Sequence, residues 1–197
     1  MKRVLSIVLA TLGALLLLAS AATFILSRVE AERAAEKAES IAEKLLSLIP
    51  EAADGVPDGD VANKNMSALS LDGVDFVGVL EIPAYGICLP VSGEWERADI
   101  KKYPCRYTGS CNSGDLIIGA DAGRGQLFAA DKVENGDTVT FTDTQGNRYT
   151  YEIAEIRRTE RADTETLTAH PAHLTLFARA AYSMEYIIIH CNLKGAA

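Results

Sequence analysis

The hydrophobic positions of this 197-residue chain form one long apolar run near the start and many short runs later. Residues 4–27 are apolar apart from scattered Ser, Thr and Gly, and a helix of that length spans roughly 30 Å of hydrocarbon. Lys2 and Arg3 precede the run, which favours a cytoplasmic tip at residues 1–3 and a domain carried outside the cell. We therefore predict a single-pass transmembrane anchor. A small-residue cleavage pattern at residues 19–21 leaves a cleaved signal peptide as the alternative.

The segment after the apolar run has the pattern of a polar helix followed by a linker. Residues 28–50 are rich in Ala, Glu and Lys, and Ile41 and Leu45 stand at helical spacing. This predicts a helical stalk, which we expect to be a solvated spacer rather than a surface packed on the domain. Residues 51–70 have the Gly, Pro, Asp and Asn content of a linker, so the globular domain is predicted at residues 71–197.

Within the domain, short apolar or alternating runs are separated by turn residues. Seven of these runs predict β-strands, at residues 76–82, 87–91, 115–120, 138–142, 149–156, 174–179 and 186–191. Because almost no helical periodicity lies between them, the domain is predicted to be mainly β. A closed or nearly closed barrel and a sandwich both fit this pattern.

Charge and composition exclude several classes of partner. The formal net charge of -8 and the pI near 4.9 argue against nucleic acid, because phosphate binding needs clustered Lys and Arg. The glycines at residues 123 and 125 lack the spacing and the lysine of a phosphate loop. Asp115 at the start of the third predicted strand and Asp131, Glu134 and Asp137 after it lack a calcium-loop pattern, so we predict no cofactor and no metal.

Four cysteines on an exported chain could form disulfides. They are Cys88, Cys105, Cys111 and Cys191, and four cysteines allow three complete pairings among which their spacing does not choose. Free thiols buried as small hydrophobic side chains are the alternative.

Several of the predicted strands resemble those of the sortases, in order and in spacing. The matching segments are residues 76–83 (FVGVLEIP), 89–91 (LPV), 115–120 (DLIIGA) and 174–177 (LTLF). Residues 104–110 look most like a clostridial class B or D type, and the membrane anchor also fits. The resemblance covers about residues 74–193. It implies a sortase-like closed β-barrel of seven to eight strands with short helices.

Sortases are membrane-tethered cysteine transpeptidases of Gram-positive bacteria, and the resemblance implies three catalytic positions. The family's cysteine ends a Thr-Leu-x-Thr-Cys strand and holds the sorting signal as an acyl-enzyme. Here that position is Arg179, preceded by Ala178 in place of threonine. The family's histidine, which supplies the acid, corresponds to Asp121. The family's arginine, which steadies the oxyanion, corresponds to Tyr186, or to Glu185 if the last strand is shifted by one residue.

None of these three positions keeps the group that the reaction needs. A guanidinium stays protonated and cannot attack a carbonyl, and nucleophilic catalysis without its nucleophile leaves only residual binding effects. We therefore predict a pseudo-sortase, a peptide- or partner-binding module in cell-surface protein anchoring or pilus assembly. The expected partners are the membrane and a surface-protein or pilin peptide, or an active sortase. Because arginine can hold a carboxylate in bidentate fashion, we expect a peptide carboxylate or an acidic side chain at Arg179.

The remaining expectations concern the groove and the role of the barrel. Asp121 and Arg179 are expected to form an ion pair across it. The alternative to the binding module is a transpeptidase or hydrolase of altered chemistry, which would use His170 and His173 near the groove mouth or a loop cysteine. A metal site of these two histidines with Asp121 is conceivable, although histidines in a turn are more often surface residues. A barrel that serves only as a surface spacer is the third reading.

Overall fold

One long helix precedes a body built of short strands in the computed structural model, which describes residues 2–51, 53–54, 65–96, 98–100, 102–120, 132–180 and 183–194. The described α-helices are α1 (Lys2–Leu48) and α2 (Thr164–Thr168), and a 3-10 helix spans Pro83–Tyr85. The strands are β1 (Ala53–Asp54), β2 (Leu69–Leu71), β3 (Val74–Ile82), β4 (Ile87–Ser92), β5 (Cys105–Thr108), β6 (Leu116–Ala120), β7 (Thr138–Asp143), β8 (Asn147–Thr159), β9 (Leu174–Arg179) and β10 (Tyr186–Leu193).

Eight of the described strands close into a barrel. Around the barrel the order is β3, β4, β5, β6, β9, β10, β8 and β7, and β7 pairs again with β3. The β4–β5 and β6–β9 pairs are parallel and the other pairs in this ring are antiparallel. The mainly β fold and the closed barrel predicted from the sequence are confirmed.

The seven predicted strands are all present, and the eighth barrel strand, β5, is additional. β5 has only four residues, and Arg106 and Thr108 interrupt any apolar run there. Its burial comes from Cys105, which is fully buried and pairs with Gly119 of β6. A short strand with so few apolar residues carries little periodicity for sequence reasoning to detect.

Alternate residues of each strand point into the barrel or out of it, as the pleat requires. In β10, Ile187, Ile189 and Cys191 join the interior core with side chains such as Phe141 and Tyr151. The other face of the same sheet carries a second cluster on the outside of the barrel. This outer cluster comprises Ile117, Leu167, Phe177 and Ile188. The barrel wall is therefore covered on both faces around β6, β9 and β10, which explains the fully buried pattern of β6.

The last turns of α1 pack on the barrel. Ala38, Ile41, Ala42 and Leu45 are almost fully buried, and their cluster includes Phe76, Val79 and Leu89 of the first barrel strands. The expectation that residues 28–50 form a solvated spacer is therefore wrong for this end of the helix. The apolar stripe that the sequence presents there faces the outside of β3 and β4 rather than water.

Two further predictions concern the linker at residues 51–70 and the membrane anchor at residues 4–27. The segment predicted as a linker, residues 51–70, contains β1, which pairs in parallel with the start of β8. Among the residues that are described, no helix has both the length and the apolar composition needed to cross a membrane. The anchor predicted at residues 4–27 stays a prediction.

Candidate functional site

The site is built at the ends of two neighbouring strands. Arg179 is the last residue of β9, and it pairs with Tyr186, the first residue of β10. The next pair along the same face is Phe177 with Ile188, and both side chains belong to the outer cluster. Because side chains two residues apart on a strand share a face, Arg179 points outward beside the Phe177 ring.

A groove of about 360 Å³ opens beside this pair of residues. Its lining includes Arg179, Tyr186, Phe177, Ala120, Trp95 and Ile100. The structure thus brings two of the three predicted site residues, Arg179 and Tyr186, to one groove. Asp121 lies outside the described residues, although Ala120 directly before it is part of the groove lining.

Three aromatic rings form one wall of the groove. The Trp95 and Tyr107 ring centroids are 5.1 Å apart, and the Phe177 centroid lies 5.5 Å from Trp95 and 5.6 Å from Tyr107. Gly119 makes this packing possible, because a Cβ there would overlap the rings of Phe177 and Trp95. Trp95 keeps 42% of its surface exposed, so it offers an aromatic face at the groove rim.

Sequence reasoning missed this aromatic wall, although two signals for it were present. Trp95 is the single tryptophan of the chain and stands in an irregular segment. Gly119 interrupts an otherwise apolar strand, and an isolated glycine in a strand often marks a close approach of other groups. Neither signal indicates by itself which rings come together.

The guanidinium of Arg179 is exposed and has little to bind within the described part of the chain. Its Nη2 donates to the thioether sulfur of Met184 at 2.9 Å. No acidic side chain among the described residues forms an ion pair with it. Since a guanidinium carries five N–H donors and a full positive charge, the groove ends at a cation that can accept an anionic ligand.

The four cysteines do not supply a replacement nucleophile. All four are free thiols, and none lines the described groove. Burial raises the pKa of Cys105 and Cys191 to about 12, and that of Cys88 and Cys111 to about 11. Because the thiolate is the reactive form, these thiols are protonated and inert at neutral pH. The structure therefore supports free thiols rather than disulfides.

The histidines lie away from the groove. His173 precedes β9 and Arg179 ends it, so roughly 20 Å of strand separates them. His170 stands near Glu155, with 3.6 Å between its Nδ1 and the carboxylate, and stacks at 5.6 Å on His190. The expectation that His170 and His173 approach the groove mouth is wrong. Among the described residues, no group of His, Cys, Asp or Glu could hold a metal ion.

One histidine in that region has an unsatisfied group. His190 is 3% exposed, and its Nδ1 lies 3.3 Å from the Thr175 hydroxyl. Its Nε2 has no hydrogen-bond partner in the described part of the chain. Burial lowers the pKa of His190, and the neighbouring His170 acts in the same direction, while Glu155 opposes them. The ring is therefore held neutral beneath the connection from β8 to β9.

Comparisons with known proteins agree with this architecture. A family model described as the sortase domain matches residues 80–192. No curated protein sequence matches the chain. Sortase C1 from Streptococcus suis is 21% identical with a TM-score of 0.51, covering 62% of this chain and 74% of its own.

Two other solved structures cover more of the chain. Clostridium perfringens sortase C with the C-terminal cell wall sorting motif is 17% identical with a TM-score of 0.53, covering 84% of this chain and 89% of its own. Sortase A from Corynebacterium diphtheriae is 15% identical with a TM-score of 0.55, and the match covers 90% of this chain and 97% of the neighbour's chain. At these identities the structural likeness establishes the fold alone.

Proposed function

This chain belongs to the sortase family, and from that premise we propose that it is a catalytically silent member whose groove binds a peptide or a partner protein at the cell surface. The proposal includes the single-pass anchor at residues 4–27, with the barrel outside the cell and a role in cell-surface anchoring or pilus assembly. The observation that carries it is Arg179 at the end of β9, lining the groove. By the resemblance described above, this residue corresponds to the family's cysteine.

The chemistry of the groove supports the absence of acyl transfer. Arg179 cannot form an acyl-enzyme, and Tyr186 across from it carries no cation to steady an oxyanion. The buried, protonated thiols offer no substitute for the cysteine. An altered enzyme built on His170 or His173 has no support from the geometry, because neither residue lines the described groove.

The shape of the groove supports retained binding. Its volume of about 360 Å³ is in the range of sites that hold small ligands or a few peptide residues. Its aromatic wall is typical of the lining of such sites. The Clostridium perfringens sortase C neighbour was solved with a C-terminal cell wall sorting motif, so a peptide is the ligand class that we propose here. A cation at the end of an apolar groove favours a peptide that brings a negative charge.

The Asp121–Arg179 ion pair remains part of the proposal. In an open groove such a pair contributes about 0–1 kcal/mol, so its effect would be on access to the groove rather than on the fold. An experimental structure in which the two charged groups lie more than about 6 Å apart would reject it.

The proposed function is tested by capture of cell-surface material on the immobilised barrel. We expect a surface-protein or pilin fragment to be retained by the native chain and lost with Arg179→Ala. Arg148→Ala is the matched control, because Arg148 is also a partly exposed strand arginine but pairs with Glu81 elsewhere on the barrel. Equal retention by all three proteins, or by none, would contradict a groove-dependent binding role.

A further inference from the structure

We infer that the groove holds the free C-terminal carboxylate of a peptide whose last side chain is large and apolar. The inference rests on the proposed binding function and specifies its ligand. It starts from the Arg179 guanidinium, whose only hydrogen bond among the described residues goes to the Met184 sulfur. A thioether sulfur is a weak acceptor without charge, so the guanidinium keeps its paired N–H groups for a carboxylate.

The apolar part of the ligand site lies two residues before Arg179 on the same strand. Phe177 and Arg179 share the outer face of β9, roughly 7 Å apart along the strand. The Phe177 ring is 5% exposed and forms the floor, while Trp95 stands over it at the rim. A single residue that carries a carboxylate and a large side chain on one Cα can contact both the cation and the aromatic floor.

The position of the cation favours a chain end over a chain passing through. Arg179 and Tyr186 form the last pair of β9 and β10, and just beyond them the Ala180 N–H donates to the Glu185 carbonyl at 2.8 Å. The described lining of the groove therefore ends at the guanidinium. A terminal carboxylate also has fewer torsions to order on binding than the side chain of an internal Glu.

Among the described residues no acidic side chain pairs with the guanidinium, and a ligand carboxylate would displace the proposed Asp121 pair. Glu185 is the acidic residue next to Tyr186 in the sequence, and it forms no ion pair with Arg179.

The test is a binding selection on the purified full-length chain with two libraries of random hexapeptides, one ending in free carboxylates and one in C-terminal amides. We expect free acids with Phe, Leu or Trp as the last residue to be retained about tenfold better than the matching amides. Arg179→Gln should abolish this preference, whereas Arg148→Gln should keep it. Trp95→Ala should weaken the choice of last side chain and leave the preference for free acids.

The outcomes separate this inference from the proposed function. Equal retention of acids and amides would overturn the inference while leaving a peptide-binding groove. Enrichment of internal Asp or Glu in the amide library would also overturn it, because the carboxylate would then come from a side chain. Retention of neither library would contradict both. Melting curves of the variants distinguish loss of the ligand contact from loss of the fold, since Arg179 is exposed.

Discussion

Arg179 determines what the groove can do at the level of a single residue. A cysteine thiolate at the end of β9 would attack a carbonyl carbon, whereas a guanidinium can only attract and orient an anion. The exposed position lets the charge stay hydrated when no ligand is bound, so it carries little cost to folding. In the function proposed above, the strand that delivers a nucleophile in a transpeptidase delivers a binding group instead.

His190 makes the stability of the barrel depend on pH. Because burial lowers its pKa, the folded chain holds the ring neutral, while the unfolded chain takes up a proton near the ordinary value of about 6.5. The contribution of His190 to stability is therefore present in full above about pH 6.5 and is lost as the pH falls below it. The groups around the ring are His170, Glu155, Arg157 and Thr175.

We expect the free energy of unfolding to fall between about pH 7 and about pH 5, measured by urea denaturation. His190→Leu has no titrating ring, so its curve should be flatter over that range. His170→Gln should show a smaller loss than the native chain, because the neighbouring His170 contributes to the lowered pKa of His190. A His190→Leu curve with the native slope would assign the pH dependence to other groups.

At the scale of elements, β6 is shaped by the aromatic wall that it supports. Gly119→Ala places a methyl group against the rings of Phe177 and Trp95, and overpacking of this kind costs about 1–3 kcal/mol. We expect lower stability in denaturant titrations and weaker ligand retention. The double variant Gly119→Ala with Phe177→Leu should be more stable than the sum of the single effects predicts, because the smaller side chain makes room. If the losses of stability in the two single variants simply add in the double variant, residues 119 and 177 do not interact.

The second element with a testable role is the end of α1. Leu45 is fully buried against the barrel, whereas Leu48 is 57% exposed one turn later on the same helix. Leu45→Ala should lower the free energy of unfolding by about 2–5 kcal/mol. Leu48→Ala should change it by no more than about 0.5 kcal/mol. An effect of Leu45→Ala as small as that of Leu48→Ala would indicate that α1 is a detached stalk.

For the whole molecule, the sequence predicts the strands well because each strand is bounded by its own turn residues, whereas the closed barrel is implied by the resemblance to the sortases. The strand over residues 174–179 has its observed limits, and the buried run at residues 115–120 matches β6 within one residue. What the sequence could not predict depends on distant contacts. The aromatic wall joins Trp95 to Phe177, and the docking of α1 joins Leu45 to the outside of β3 and β4.

The candidate site also has parts that the sequence could predict and parts that it could not. The resemblance to the sortases singles out Arg179 and Tyr186 as separate positions, and the structure pairs them at the ends of β9 and β10. The exclusion of His170 and His173 from the groove follows from the direction of β9, which puts them at its other end. A spacing along the sequence carries no information about which end of a strand faces the groove.

The central claim is that this sortase-family barrel lacks acyl transfer, and one measurement tests it most directly. The purified chain is incubated with a labelled cell-wall sorting peptide and an amine acceptor, beside an active sortase, and both peptide and protein are followed by intact mass. We predict neither cleaved or ligated peptide nor a covalent adduct on the protein, because Arg179 provides no nucleophile. Steady turnover of the peptide, or an acyl adduct on any cysteine, would contradict the account.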